Sequence, residues 1–270
     1  MSEAGSGRKV CGGIDAGSRT IKIVLMDADT QEVVASGIVD QGIEQNALAT
    51  QLLEDLTHSI GVKTGEISRI VATGYARNVI RVADTTVTEI TCHATGVYFR
   101  VPGTRTVIEI GGQDSKFLRL NEGGNVRDFA MNDRCAAGTG RFLEVVADRL
   151  GVEVQGLGEL AANSRSPAVI SSMCVVFAET EIIGLLASGI PREDIVAGVQ
   201  MSIASRVSAM AGRNIDLPIV FTGGVALISG MATALESALK HPVSIAPDPQ
   251  MTGALGAALL ASRQCKGDSL

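Results

Sequence analysis

The feature that most restricts this chain is a short unit that occurs twice. A buried strand, Val10 to Ile14, enters the turn Asp15-Ala16-Gly17-Ser18-Arg19-Thr20 and returns as a second strand, Ile21 to Met26. Further along, Thr106 to Ile110 enters Gly111-Gly112-Gln113-Asp114-Ser115 and returns as Lys116 to Leu120. One copy alone reads as an ordinary hairpin. Two copies predict an internal duplication, hence two similar α/β lobes whose acidic turns converge on one cleft. A strand–glycine turn–strand can hold phosphate on backbone N–H groups, with the Ser18 and Thr20 hydroxyls as further donors. Asp15 and Asp114 are then placed to hold Mg²⁺, directly or through its waters.

Other elements follow from periodicity. Strands are expected at Glu32 to Ile38, Ile67 to Thr73, Thr85 to Ile90, Pro218 to Phe221 and Val243 to Ala246. Helices are expected at Gln45 to Ile60, Cys92 to Phe99, Ile195 to Met210, from the third glycine turn to Leu239, and at Gly253 to Ser262. His93 has no second histidine at helical spacing and reads as packed rather than as a ligand. The third turn, Thr222-Gly223-Gly224-Val225-Ala226, can lie against a nucleotide's sugar and base, or be a plain strand-to-helix turn. No Gly-x-x-x-x-Gly-Lys-Ser/Thr occurs, so a P-loop NTPase is excluded.

Two cysteines share a context. Cys135 lies in Met131-Asn132-Asp133-Arg134-Cys135-Ala136-Ala137-Gly138-Thr139-Gly140, and Cys174 in Ser171-Ser172-Met173-Cys174-Val175-Val176-Phe177-Ala178-Glu179. An apolar-periodic segment follows each, stopped by Gly151 in one case and by Gly189 and Pro191 in the other. Each thiol is thus expected at or just before a helix N-terminus, where free N–H groups favour thiolates and metal–sulfur clusters. The competing reading is two small buried hydrophobes. Two thiolates do not complete a cubane, which normally takes four, so ligation calls for a second copy of the chain.

Charge and composition narrow the classes. The 270 residues are 46% hydrophobic, enough for one large core or two lobes. With a net charge of −6 and no dense run of Lys or Arg, neither nucleic acid nor an anionic membrane is an expected partner. Met1 to Val10 has no signal-type apolar core and no apolar run reaches spanning length, which points to the cytoplasm. Five cysteines, an odd number, favour metal or redox use over a disulfide frame.

Taken in order, Gly13-Ile14-Asp15-Ala16-Gly17-Ser18, Ala72-Thr73-Gly74-Tyr75, Ile110-Gly111-Gly112-Gln113-Asp114, the Met131 to Leu143 block, Cys174 to Glu179 and Phe221 to Ala226 resemble one family. It is the activator (component A) ATPases of 2-hydroxyacyl-CoA dehydratases, the BadF/BadG/BcrA/BcrD ATPase family, and the match runs from about Val10 to Ala261. The resemblance implies duplicated RNase H-like lobes of the actin, hexokinase and heat-shock chaperone ATPase superfamily. The lobes would span 8–100 with 253–268, and 101–252. It implies ATP with Mg²⁺, and a homodimer sharing one four-iron four-sulfur cluster on Cys135 and Cys174 of each subunit. A ferredoxin or flavodoxin would supply the electron, and an iron–sulfur dehydratase or reductase would receive it.

By the same resemblance Asp15, Glu109, Gln113 and Asp114 serve catalysis. Gly17, Ser18, Arg19, Thr20, Lys22, Gly112, Gly223, Gly224 and Gln250 bind the nucleotide. Three residues depart from the family's habit: Glu109 replaces an Asp, Arg19 a small hydroxyl residue and Arg134 a Lys. Cys11, Cys92 and Cys265 match no ligand position. The competing functions are the ATPase subunit of a benzoyl-CoA reductase, the reductase of a double-cubane-cluster protein, a small-molecule kinase, and a structural zinc dimer.

Overall fold

The computed structural model describes residues 9–172, 174–212 and 215–267. Met173, and the lobe ends Arg8 and Asp268, lie outside them. The chain forms two compact units, one running to Phe99 and resuming at Met251, the other Arg100–Gln250.

In the first unit β1 (Val10–Ala16) pairs antiparallel with β2 (Thr20–Asp27), and β2 with β3 (Val33–Asp40). Helix α1 (Gln45–Ser59) leads to β4 (Arg69–Thr73), parallel to β1 on its other side, and to β5 (Thr85–Thr86). Every residue of β1 is buried, as a central strand requires. Helix α2 (Glu89–Arg100) begins inside the segment expected as a strand to Ile90. Thr88 decides this: its hydroxyl accepts the Thr91 N–H at 3.4 Å and its carbonyl the Cys92 N–H at 3.1 Å, which nucleates a helix.

The second unit repeats the plan. β6 (Thr106–Ile110), β7 (Ser115–Leu120) and β8 (Val126–Asn132) form the antiparallel part. Helices α3 (Gly140–Leu150), α4 (Leu157–Ala162), α5 (Val175–Ala187) and α6 (Arg192–Ala211) follow. Then β9 (Ile219–Thr222) runs parallel to β6, and after α7 (Met231–Leu239) β10 (Val243–Ile245) runs parallel to β9. The orders β3-β2-β1-β4-β5 and β8-β7-β6-β9-β10 are the same topology, so the duplication covers a whole five-stranded sheet. β8 has no hydrophobic alternation to announce it, because Arg127 and Asp128 break the pattern. It forms by pairing the open edge of β7. The third glycine turn continues as a 3-10 turn, Gly224–Leu227, and the helix proper waits until Met231.

Helix α8 (Thr252–Cys265) returns to the first unit and is buried from Thr252 to Ser262. It lies against bare backbone. A Cβ on Gly13 would stand 2.1 Å from the Ala254 carbonyl oxygen, and one on Gly256 1.8 Å from that of Cys92. Among the described residues no helix is long and apolar enough to cross a membrane.

Backbone contact of this kind leaves no room for a methyl group. Gly256→Ala is expected to destabilise the protein by about 3 kcal/mol or more. Gly156→Ala, which meets nothing within 4 Å, should leave stability unchanged or raise it by up to about 1 kcal/mol. Urea unfolding midpoints of the two variants check this.

Candidate functional site

Each unit places a carboxylate at the end of its central strand, between a lysine on one neighbour and a threonine on the other. Asp15 is in register with Lys22 of β2 and Thr73 of β4. Glu109 is in register with Lys116 of β7 and Thr222 of β9. After each of those threonines stands a glycine in the left-handed region, Gly74 at φ 87° and Gly223 at φ 90°. A Cβ on Gly74 would lie 2.5 Å from Asp15 Oδ1, and one on Gly223 2.8 Å from Glu109 Oε1. Only glycine meets both the dihedral and the distance.

The two acids differ in how they are neutralised. Lys22 Nζ reaches Asp15 Oδ2 at 3.4 Å. Lys116, itself 2% exposed, donates at 2.8 Å to Glu109 Oε2 and at 2.7 Å to Asp114 Oδ2, clamping two carboxylates with one ammonium. Glu109 is buried, whereas Asp114 is half-buried and Gln113 is exposed. Lys116 was missed from sequence although Lys22 was chosen. The available signal was the spacing, since acid and lysine are seven residues apart in both copies.

Asp15, Gly17, Ser18, Arg19, Thr20 and Lys22 belong to the first unit. The Gly17 N–H donates to the Thr20 carbonyl at 3.1 Å, which closes the turn. Gln41 braces it from β3's end, its Nε2 donating to the Gly17 carbonyl at 2.6 Å. Glu109, Gly112, Gln113, Asp114, Gly223, Gly224 and Gln250 belong to the second unit. Gln250 is drawn beside the third turn because the preceding residue's carbonyl, that of Pro249, accepts from Thr222 Oγ1 at 2.6 Å and from the Gly223 N–H at 2.9 Å. His93 is buried, its Nδ1 3.0 Å from Thr252 Oγ1. Burial pushes the Cys11 and Cys92 thiols up to about 12 and raises that of Cys265, so none of the three is poised as a thiolate.

Cys174 is exposed and is the residue immediately before α5. Cys135 is half-buried and stands one step further from its α-helix than expected: it heads a 3-10 turn, Ala136–Gly138, and α3 begins only at Gly140. Thr139 makes the break, extended at φ −137° and ψ 173°, with its hydroxyl and N–H both on the Ala136 carbonyl at 2.7 and 3.1 Å. Asn132 holds the Cys135 backbone from both sides, accepting its N–H at 3.1 Å and donating to its carbonyl at 2.7 Å. The first N–H groups of α3 are spent on the second glycine turn. Gly140 donates to the Gly111 carbonyl and Arg141 to that of Gly112, each at 2.8 Å.

The Cys174 segment is anchored by two charged side chains. Glu181 accepts the Ser171 N–H at 2.9 Å, the Ser171 hydroxyl at 2.7 Å and the Ser172 N–H at 2.8 Å. Burial pushes its carboxyl up, but these hydrogen bonds outweigh that and hold it at about 2. From α6, Arg206 Nη2 donates to the Ser172 carbonyl at 2.9 Å. Its Nε is buried and has no partner among the described residues. An unpaired buried N–H of this type costs roughly 1–3 kcal/mol. Among the described residues no group of three or more His, Cys, Asp or Glu is placed to hold a metal.

A family model described as the BadF/BadG/BcrA/BcrD ATPase family matches residues 13–261. The activator of lactoyl-CoA dehydratase from Anaerotignum propionicum is 45% identical over 250 residues, covering 92% of this chain and 96% of its own. The (R)-2-hydroxyglutaryl-CoA dehydratase activating ATPase of Acidaminococcus fermentans is 43% identical, covering 93% and 96%. A solved structure of the Clostridium difficile activator of 2-hydroxyisocaproyl-CoA dehydratase, with bound ADPNP, superposes with a TM-score of 0.90 at 41% identity and 96% coverage of both chains. A hexokinase from Thermus thermophilus, 16% identical with a TM-score of 0.53 over 96% of this chain and all of its own, shares the fold alone. The fold is therefore that of the actin, hexokinase and heat-shock chaperone ATPase superfamily.

Removing one partner from a buried ion pair strands the other, at a cost of about 3–5 kcal/mol. Lys116→Met is expected to lose that much stability, and Lys22→Met, at the longer and single contact, distinctly less. Chemical denaturation of both variants measures the difference. Glu181 gives a pH dependence. Its folded carboxyl lies below the unfolded value, so its contribution is full above about pH 4.3 and is lost as the pH falls towards 2. Amide-exchange protection at Ser171 and Ser172, corrected for intrinsic rates, should fall over that window. In Glu181→Gln it should already be low at pH 7.

Proposed function

Because the chain belongs to the BadF/BadG/BcrA/BcrD ATPase family, we propose that it is an ATP-hydrolysing activator delivering an electron at low potential to a 2-hydroxyacyl-CoA dehydratase. The observation that carries this reading is the junction of α3 with the second glycine turn. Two backbone hydrogen bonds fasten a phosphate-type turn to the segment bearing Cys135. A small-molecule kinase has no use for the paired cysteine segments, and a structural zinc dimer has none for the acid–lysine turns. The dehydratase activators among its relatives support a dehydratase as the partner.

In this reading the turn N–H groups, the Ser18 and Thr20 hydroxyls and Lys22 take the β- and γ-phosphates, with Arg19 at the same turn. Asp15 and Asp114 manage Mg²⁺, and carboxylate oxygens are the donors that ion takes. Asp114, Gln113 or Glu109 places the hydrolytic water. Glu109 is buried under Lys116, which favours the more exposed Gln113 and Asp114 for that task. Gly112 keeps the second turn open to the phosphates, and Gly223, Gly224 and Gln250 take the sugar and base. Catalysis rests on positioning and charge neutralisation, as in phosphoryl transfer generally.

Cys135 and Cys174 are two soft ligands on short segments that begin helical turns, where backbone N–H groups favour negative charge. An arginine N–H with no acceptor lies buried beside the second segment. This donor set fits half of a four-iron four-sulfur cluster, whose four thiolates a homodimer completes. Such a cluster, when bound, supplies one-electron transfer at low potential. The chain's own part is to hold the thiolates, to screen their charge, and to pass movement of the Gly111–Gly112 turn into α3. A ferredoxin or flavodoxin is the electron source, and the setting is the cytoplasm.

Asp114→Asn should lower ATP turnover on the order of 10²–10³-fold while nucleotide binding by calorimetry persists. Unchanged turnover would show the second turn to be misassigned. After anaerobic reconstitution, Cys135→Ser or Cys174→Ser should lose iron, and Cys11→Ser, Cys92→Ser and Cys265→Ser should keep it. Full iron in both of the first two variants removes the cluster assignment.

A further inference from the structure

We infer that Arg206 is a positioning residue that ties the Cys135 and Cys174 segments together and sets a fixed positive charge beside the iron–sulfur centre. The inference rests on the cluster reading above. Arg206 lies on α6, whose inner side is locked in the core by Ile203, Ala204 and Val207. Its stem crosses the 3-10 turn after Cys135: a Cβ on Gly138 would stand 3.7 Å from both Arg206 Cβ and Cδ. Its head donates from Nη2 to the carbonyl of Ser172, two residues before Cys174, at 2.9 Å. One side chain, on a helix that carries neither cysteine, therefore touches both cysteine segments.

Two facts separate this from simple buttressing. The contact to Ser172 uses one N–H of a group that has five. The Nε–H is buried with no partner among the described residues, and buried donors in folded proteins nearly always have one. Among the described residues no ion pair neutralises its guanidinium, so its charge acts on whatever negative group the two segments hold. A fixed positive charge near an iron–sulfur centre favours its reduced, more negative state, because sulfur-directed N–H groups and local charge set the potential. Arginine suits the task, since its guanidinium does not lose its proton and its donors are held in a plane.

The test compares the reconstituted holoprotein with Arg206→Met, which keeps a stem against Gly138, and Arg206→Lys, which keeps the charge. Far-UV circular dichroism checks the folding of each. Iron release to a chelator and the reduction midpoint are the readouts. Arg206→Met should release iron at least tenfold faster. Its reduction equilibrium should be about tenfold less favourable, a midpoint 59 mV lower for one electron. Arg206→Lys should hold its midpoint near the wild-type value yet still release iron faster, and it carries the test should the Met variant not fold. If a folded variant loads iron with wild-type midpoint and release rate, Arg206 is only packing and the inference falls while the cluster reading stands. If the wild-type protein itself takes up no iron, the cluster reading falls and this assignment with it.

Discussion

A lysine held against a buried carboxylate, across the first hairpin of each unit, is the interaction on which the rest of both turns depends. An acid at the end of a central strand has no water to share its charge, so it must be neutralised from the neighbouring strand. Strand register does this by itself, setting Lys22 opposite Asp15 and Lys116 opposite Glu109. On the other flank the parallel strand ends in threonine, and the chain then turns away through a glycine whose missing side chain leaves the acid its place. The two sites are the same solution reached twice, with one difference in length. Glu109 carries an extra methylene, and its lysine collects Asp114 as well.

That second, tighter clamp is the one attached, through the start of α3, to the Cys135 segment. The turn it stabilises offers its carbonyls to the opening N–H groups of α3, so the helix end normally left to solvent is tied to the phosphate-type turn. On the other side, Glu181 and Arg206 fix the chain before Cys174 from α5 and α6. Both cysteines thus stand on short stretches held by hydrogen bonds to backbone as well as by packing, since Ala137 is buried and Cys135, Ile170 and Val175 lie against the core. Such bonds are directional and weaken steeply when bent, so they fix the position of each stretch closely.

Much of the architecture was legible because strand, glycine turn and returning strand carry period and turn chemistry together, and because they occur twice. The repeat pointed to Asp15 and Asp114, whereas Glu109, the true counterpart of Asp15 in strand register, came only from the family resemblance. Lys116 carries no turn chemistry of its own; what buries it is a pair of acids that register and the second turn bring together. β8 was invisible because Arg127 and Asp128 erase its alternation, and an edge strand needs no buried face. The 3-10 turn after Cys135 was signalled by Gly138 and Gly140 on either side of Thr139 but overlooked beside the apolar period that follows; a local hydrogen bond sets the extended backbone of Thr139. Arg206 could not be found by spacing, since its two contacts lie far from it along the chain.

Helix α8 carries a consequence for synthesis. The first unit's core is incomplete until α8 arrives: Cys11, Val24 and Met26 are covered chiefly by Ala254, Leu255, Ala257, Ala258 and Leu259, which are translated after the whole of the second unit. The second unit leaves the ribosome as one continuous stretch and can close first. The first must wait with an apolar sheet face uncovered for the time taken to make 151 residues, roughly 8–30 s at 5–20 residues per second. The usual order of N-terminal domain first is therefore inverted, and the nascent β1–β4 face is the surface a holding chaperone would meet.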